Sequence, residues 1–193
     1  MIKNHRLAEA RFDESPNVGG PLKAPTLLVI HYTGGRNASS AASWLCNKAA
    51  KASAHLIIGR GGELIQLVPF DRVAWHAGHS VWRGRPSVNS YSIGIELDNP
   101  GFVKRVGGRW RALALGIDYN DEDVVEDGNK GWVAYTPLQL KRCDSICREL
   151  LQEYSSLNDV AGHADVALPK GRKLDPGGAF GTDALRLKLF GRA

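Results

Sequence analysis

The segment TLLVIHYT, residues 26–33, most constrains what this chain can fold into. It is an unbroken apolar, β-branched run, and a histidine sits near its end. A strand with no polar alternation has no face to give to water, so it reads as the buried central strand of a sheet. The other segments supply its neighbours. SSAASWLCNKAAK (39–51) has helix formers after a serine start. AHLIIG (54–59) and ELIQLVP (63–69) flank Arg60-Gly61-Gly62, a hairpin signature. SIGIELDNPG (92–101) is a further strand, stopped by Asn99-Pro100-Gly101. The clearest helix covers 136–154, with Thr136 as N-cap and Pro137 in the first helical position. Its apolar positions are Leu138, Leu140, Ile146, Leu150 and Leu151. GAFGTDALRLKLF closes the chain as a short helix. The expectation is one α/β domain over 26–193, a central mixed β-sheet flanked by helices. Residues 1–25 are expected to be a turn-rich leader without periodicity. Residues 102–131 are expected to be a surface insertion, with one strand in RWRALAL and a solvated acidic run.

At 193 residues, 43% hydrophobic and 23% charged, the chain is globular and long enough for one sizeable core. No apolar run nears the ~20 residues that span a membrane. MIKNHRLAEARFDESP lacks the apolar stretch of a secretory signal, so the expected location is the cytoplasm, or outside it by a route the sequence does not show. A net charge of +5 suits an anionic partner such as nucleic acid or an acidic wall polymer. No Lys/Arg block with interleaved aromatics is present, which speaks against nucleic acid. Cys46, Cys143 and Cys147 form an odd set without bridging geometry, and read as reduced thiols.

The residues able to do chemistry lie at the ends of the predicted elements. His31 ends the central strand. His163 follows Gly162 in a turn, and Asp175 stands twelve positions later between Leu174 and Pro176. A catalytic zinc takes three protein ligands and keeps one open position, and two histidines with a carboxylate are such a set. The spacing alone is not specific, and each histidine alone reads equally well as a satisfied core residue. Glu96 lies in an otherwise apolar or small strand. By alternation it shares a face with Gly94 and Asp98, which makes it either a solvent-facing residue or a carboxylate placed for proton transfer. Lys173, two residues before Asp175 in an extended segment, projects to the same side and is either a surface lysine or an oxyanion partner.

Four blocks in order, VIHYTGG, SAHLIIGRGGELIQLVPFDRVAWHAGHSVWRG, NSYSIGIELDNPG and GHADVALPKGRKLDPGGAF, resemble the zinc-dependent N-acetylmuramoyl-L-alanine amidases of the amidase-2 family, which share the peptidoglycan-recognition-protein fold. The similarity runs from about residue 26 to 190. It implies a mixed sheet with a zinc groove along one side. It implies His31, His163 and Asp175 as zinc ligands, Glu96 as the catalytic carboxylate and Lys173 as the oxyanion stabiliser. His76, in WHAG, is implied as a substrate contact. His55 is expected to be structural. Arg60 and Asn89 are expected to meet the carboxylates and amides of a stem peptide. Two features depart from the family pattern. Ala54 stands where some relatives have a catalytic tyrosine, which leaves proton transfer to Glu96. The loop ADVALPKGRK is longer than the usual form by Leu168 and Lys170.

The resemblance therefore implies hydrolysis of the amide between N-acetylmuramic acid and L-alanine by a monomer whose partner is peptidoglycan or a muropeptide. The compact segment between the first two blocks leans toward a wall-cleaving, endolysin-type enzyme. A cytoplasmic recycling amidase acting on anhydro-muropeptides is the alternative. A non-catalytic peptidoglycan-binding module is the alternative of another class.

Overall fold

In the computed structural model, which describes residues 1–127 and 130–192, the apolar run forms the strand Leu27–Tyr32, with its first five residues buried. It lies inside a six-stranded mixed sheet in the order Asp159–Gly162, Leu27–Tyr32, Ser92–Leu97, Leu56–Ile58, Leu64–Gln66 and Arg11–Phe12. The first four strands run parallel. Leu56–Ile58 and Leu64–Gln66 form the expected antiparallel hairpin. This is the mixed α/β sheet flanked by helices anticipated above.

Each face of the sheet is covered by a different set of elements. One face buries Leu28, Ile30, Ile93, Ile95 and Leu97 against the helix Pro137–Glu153 and the closing helix Thr182–Phe190. Thr136 caps the long helix by accepting from the Gln139 N–H. Its buried stripe is Gln139, Cys143, Ile146, Cys147 and Leu150, whereas Leu138 and Leu140 are exposed. Gln139 takes an inward place, where its amide donates to the carbonyls of Ile58 and Asp98. On the other face two apolar clusters form. Leu27, Val29 and Ala161 pack with Ala77, Val88, Tyr91 and Val166. Ile57 and Ile65 pack with the helix Ala38–Leu45. The helix starts from Asn37, whose side chain accepts from the Ser40 N–H, and gives way to a short 3-10 turn, Lys48–Ala50.

The first 25 residues are not a structureless leader. They contribute four short strands, and Arg11–Phe12 joins the edge of the main sheet. Ile2, Leu7 and Leu22 enter the main core. Gln66 is buried, accepts from the Leu7 N–H at 2.8 Å and donates to the His5 carbonyl, which pins the segment. Strands of two residues have no periodicity to read, so only their partners reveal them.

The 102–131 region is also more ordered than its composition suggests. Five antiparallel strands run in the order Ile117–Tyr119, Arg109–Ala112, Phe102–Val106, Lys130–Val133 and Val124–Asp127. They close over a small core of Val103, Trp110, Ala112 and Val133. Apolar residues alternate with Arg, Lys and Glu, so one face of this small sheet is buried and the other wet. Within the acidic run, Asp121–Asp123 form a 3-10 turn that leads into the strand Val124–Asp127.

If the N-terminal segment belongs to the core, Leu7→Ala should destabilise the protein by about 2–5 kcal/mol, the usual cost of emptying a buried leucine site. Urea unfolding checks this. A change below about 0.5 kcal/mol is what a surface position gives and would contradict the core role.

Candidate metal centre

His31 and His163 lie at the same edge of the sheet because their strands are parallel neighbours, with Gly162 paired to Ile30. His31 occupies the next position on its strand, and His163 opens the one-turn helix His163–Val166. Ligand sites in parallel sheets form at this carboxyl end of the strands. Asp175 arrives from the following loop, where its carbonyl accepts from the Ala164 N–H at 2.8 Å. Three contacts hold that loop. A side chain on Gly162 would meet Pro176 Cδ at 2.6 Å, so glycine is what lets the loop approach. Tyr135 Oη donates to the Pro176 carbonyl at 2.7 Å. Gly177 turns with φ +79° directly beneath the Trp132 ring.

The three side chains meet in a nearly equilateral triangle. His31 Nδ1 is 3.0 Å from His163 Nδ1 and 3.0 Å from Asp175 Oδ2, and the third edge is 2.9 Å. All three residues are buried. His163 Nε2 faces the Ala77 carbonyl at 3.3 Å, and a carbonyl only accepts, so the ring proton is on Nε2 and Nδ1 keeps its lone pair. Two imidazole nitrogens and a carboxylate oxygen converging on one point are a donor set that holds a divalent metal ion. Burial pushes the His31 pKa down to about 4, which keeps the imidazole neutral, the form that ligates.

Glu96 is placed by register. In the parallel pairing of Ser92–Leu97 with Leu27–Tyr32 it stands directly beside His31. Its Oε2 is enclosed, and among the described residues it has no hydrogen-bond partner. Burial, then the charge of Asp175, raise its pKa well above the usual carboxylate range, and Lys173 opposes them. Lys173 is exposed and lines the same groove.

The groove has a volume of about 480 Å³. Beyond the triad, Glu96 and Lys173, its walls include His76, Arg172 and two exposed indoles, Trp44 and Trp75. The indoles and Arg172 were not singled out from the sequence. Trp44 sits on an otherwise small-residue helix face, and its exposure is visible only once that helix is docked. Arg172 donates to the carbonyls of Leu168, Ala77 and His79, tying the long loop to WHAG.

Two expected substrate contacts lie elsewhere. Arg60 points away from the groove, donates to the Ala134 carbonyl at 3.2 Å and borders a separate small cavity with Arg36, Asp98 and Tyr119. The hairpin turn carries it to the side where the insertion docks. Asn89 is not on the groove wall. Its Oδ1 accepts from the backbone N–H groups of His76 and Ala77 at 3.1 and 2.7 Å. His55 is wholly internal, donating to the Arg72 carbonyl and accepting from the Gly94 N–H.

Comparison with known proteins places the chain in a family. The amidase-2 family model, described as N-acetylmuramoyl-L-alanine amidase, matches residues 21–178. A 1,6-anhydro-N-acetylmuramyl-L-alanine amidase, AmpD of Salmonella typhimurium strain SL1344, is 36% identical over 131 residues, covering 67% of this chain and 53% of that protein. The chain thus spans about half the length of the first curated relatives it matches. A crystal structure of a selenomethionine AmpD derivative superposes with a TM-score of 0.66 at 29% identity, covering 98% of this chain and 99% of that one. The Escherichia coli amidase AmiD, in complex with the substrate anhydro-N-acetylmuramic acid-L-Ala-D-gamma-Glu-L-Lys, superposes with a TM-score of 0.65 at 28% identity, covering 96% of this chain and 61% of that one. The matched span contains every residue that converges on the groove, and the chain belongs to the N-acetylmuramoyl-L-alanine amidase family, amidase-2.

Proposed function

We propose that this chain is a zinc-dependent N-acetylmuramoyl-L-alanine amidase whose ligands are His31, His163 and Asp175. The observation that carries the reading is the triangle of buried donor atoms with Glu96 next to it in register, its enclosed Oε2 having no hydrogen-bond partner among the described residues. A recognition module that only binds has no use for an enclosed carboxylate at that place, since burying one costs stability.

Bound to the triad, zinc would supply Lewis acidity and make water acidic near neutral pH. Glu96 accepts the proton of the attacking water. The water oxygen adds to the lactyl carbonyl of N-acetylmuramic acid, and the Lys173 ammonium faces the oxygen on which negative charge develops. Glu96 then returns its proton to the L-alanine nitrogen as the C–N bond breaks, leaving a carboxylic acid and a free amino terminus. Trp44 and Trp75 offer flat apolar surfaces to the sugar ring.

The names of the matched relatives, 1,6-anhydro-N-acetylmuramyl-L-alanine amidases, favour an anhydro-muropeptide substrate over the intact wall that the compact sequence blocks suggested. Among the described residues, no helix is long and apolar enough to cross a membrane. Mass spectrometry of products from sacculi and from soluble anhydro-muropeptide, each with and without a chelator, tests the whole reading. Chelator-sensitive release of stem peptide from the soluble substrate is expected. No free stem peptide from either substrate would refute the enzymatic reading.

Three further outcomes follow from the residues. Glu96→Gln should retain zinc and lose activity by roughly 10²–10⁴-fold. Full zinc content with near wild-type turnover would remove Glu96 from the mechanism. In the metal-free protein the same substitution should stabilise. The folded pKa of Glu96 is raised, so its cost is absent below the ordinary value of 4.5 and grows as pH rises. Melting in a chelator should therefore show Glu96→Gln about 2–4 °C above wild type at pH 7 for each kcal/mol relieved, with the gap closing at acid pH. Trp44→Ala should raise KM roughly fivefold, the equivalent of about 1 kcal/mol of lost aromatic contact, with kcat little changed. Steady-state kinetics on a muropeptide checks this.

A further inference from the structure

His31 uses both ring nitrogens. Nδ1 points into the triad, and Nε2 lies 3.1 Å from His76 Nδ1. Either ring could own the proton between them, and the choice decides whether His31 can ligate. Two more contacts make the choice. His76 Nε2 lies 3.1 Å from Ser92 Oγ, and Ser92 Oγ lies 2.7 Å from the Val88 carbonyl. The carbonyl accepts only, so the single hydroxyl proton of Ser92 goes to Val88. Ser92 Oγ must then accept from His76 Nε2–H. His76 is left with a bare Nδ1, which accepts from His31 Nε2–H. Every proton in the row is fixed by the carbonyl at its far end, and His31 Nδ1 is left with a free lone pair.

The strand builds this row with one face. Ser92, Gly94 and Glu96 alternate onto the same side of Ser92–Leu97. Ser92 holds the far end of His76. Gly94 leaves room for the ring, since a side chain there would meet His76 Cγ at 2.5 Å. Glu96 stands beside His31. Ser92 is fully buried and His76 nearly so. Asn89, by accepting from the N–H groups of His76 and Ala77, sets the backbone that carries this ring and also the carbonyl that receives His163 Nε2–H.

We infer that His76 and Ser92 are positioning residues, which hold His31 in the Nε2–H tautomer so that Nδ1 is ready for the metal ion, and that His76 is not primarily a substrate contact. The inference rests on the metal reading above and adds its supporting layer. Partners that orient a ligand imidazole typically change metal affinity by 10–100-fold when removed.

The test measures zinc affinity by competition with a chromophoric chelator, and histidine tautomers by ¹⁵N NMR on the metal-free protein. Ser92→Ala removes one oxygen atom and preserves the fold. It should weaken zinc about 10–100-fold and let His31 populate the Nδ1–H form. His76→Leu should do the same. His76→Gln should recover most of the affinity, because its carboxamide can accept from His31 and donate to Ser92. Wild-type zinc affinity in both Ser92→Ala and His76→Leu overturns the inference, and so does a metal-free wild type whose His31 carries its proton on Nδ1. A wild type that takes up no zinc overturns the metal reading itself, and the positioning role with it.

Discussion

The register between two parallel strands is the constraint on which the site depends. Pairing Ile30 with Ile95 and His31 with Glu96 places a metal-type ligand and a carboxyl side by side at one sheet edge. Because side chains alternate, a slip of one residue would send Glu96 into the apolar face under the long helix and bring Leu97 to the groove. The register is held by apolar burial that has no part in the chemistry. Leu28, Ile30, Ile93 and Ile95 are completely buried on the opposite face, so any slip would turn the whole set toward polar surroundings. Core packing and active geometry are here one condition.

The same strands explain why so polar a site can exist in the interior. The second face of the sheet carries two separate apolar clusters, one around Leu27 and Val29, the other around Ile57 and Ile65. Between them runs the row of Ser92, His76, His31 and Glu96. A buried polar row is costly unless its members satisfy one another. The histidines do so as neutral rings. Burial pushes His31 and His55 down to about 4 and holds His76 well below the usual imidazole range, so these three rings bring no positive charge. Asp175 and Glu96 then remain as two carboxyls close to one another, and Lys173 offsets the second of them. With His31 and His163 turned lone pair inward, three acceptors meet at 2.9–3.0 Å. That arrangement is repulsive by itself and becomes favourable around a cation. The supporting hydrogen bonds thus select a metal-binding state at some cost to the stability of the metal-free protein.

Much of this was legible in the sequence, and the gaps have a common origin. The long helix, the hairpin and the two central strands announce themselves through runs of four or more residues with clear period or caps. The metal-type residues stood out because His31, His163 and Asp175 occur inside blocks that resemble a family. Their bare spacing would not have joined residues 144 positions apart. What the pattern did not show was anything settled by a distant partner. The two-residue strands near the N-terminus exist because Gln66 and the sheet edge receive them. Leu138 and Leu140 look like core residues on a helical wheel, yet they are exposed and Gln139 faces inward, its amide donating to two backbone carbonyls. Arg60 and Asn89 were reasonable peptide partners by residue type, but backbone carbonyls and amides claim their side chains. Ser92 gave no sign on its own. It acquires meaning from sharing a face with Gly94 and Glu96 and from the ring that lies across them.

The small sheet of residues 102–133 shows how an added element can be tied to a site without entering it. Trp132 lies over Gly177 and Gly178, two residues past Asp175, and its ring packs against Tyr32 and Phe102. Tyr32 follows His31 directly and covers Gly101, which turns with φ +78°. A chain of tilted and edge-on ring contacts therefore links the start of the inserted sheet, the residue after His31 and the turn after Asp175. Only glycine allows these approaches, since a side chain on Gly101 or Gly177 would come within 2.4 Å of the rings. The turn that delivers Asp175 has no helix or strand of its own to fix it. Its geometry comes from this packing, from the Tyr135 hydrogen bond to Pro176 and from the Ala164 N–H bond to the Asp175 carbonyl, so the order of the inserted sheet and the placement of Asp175 are physically linked.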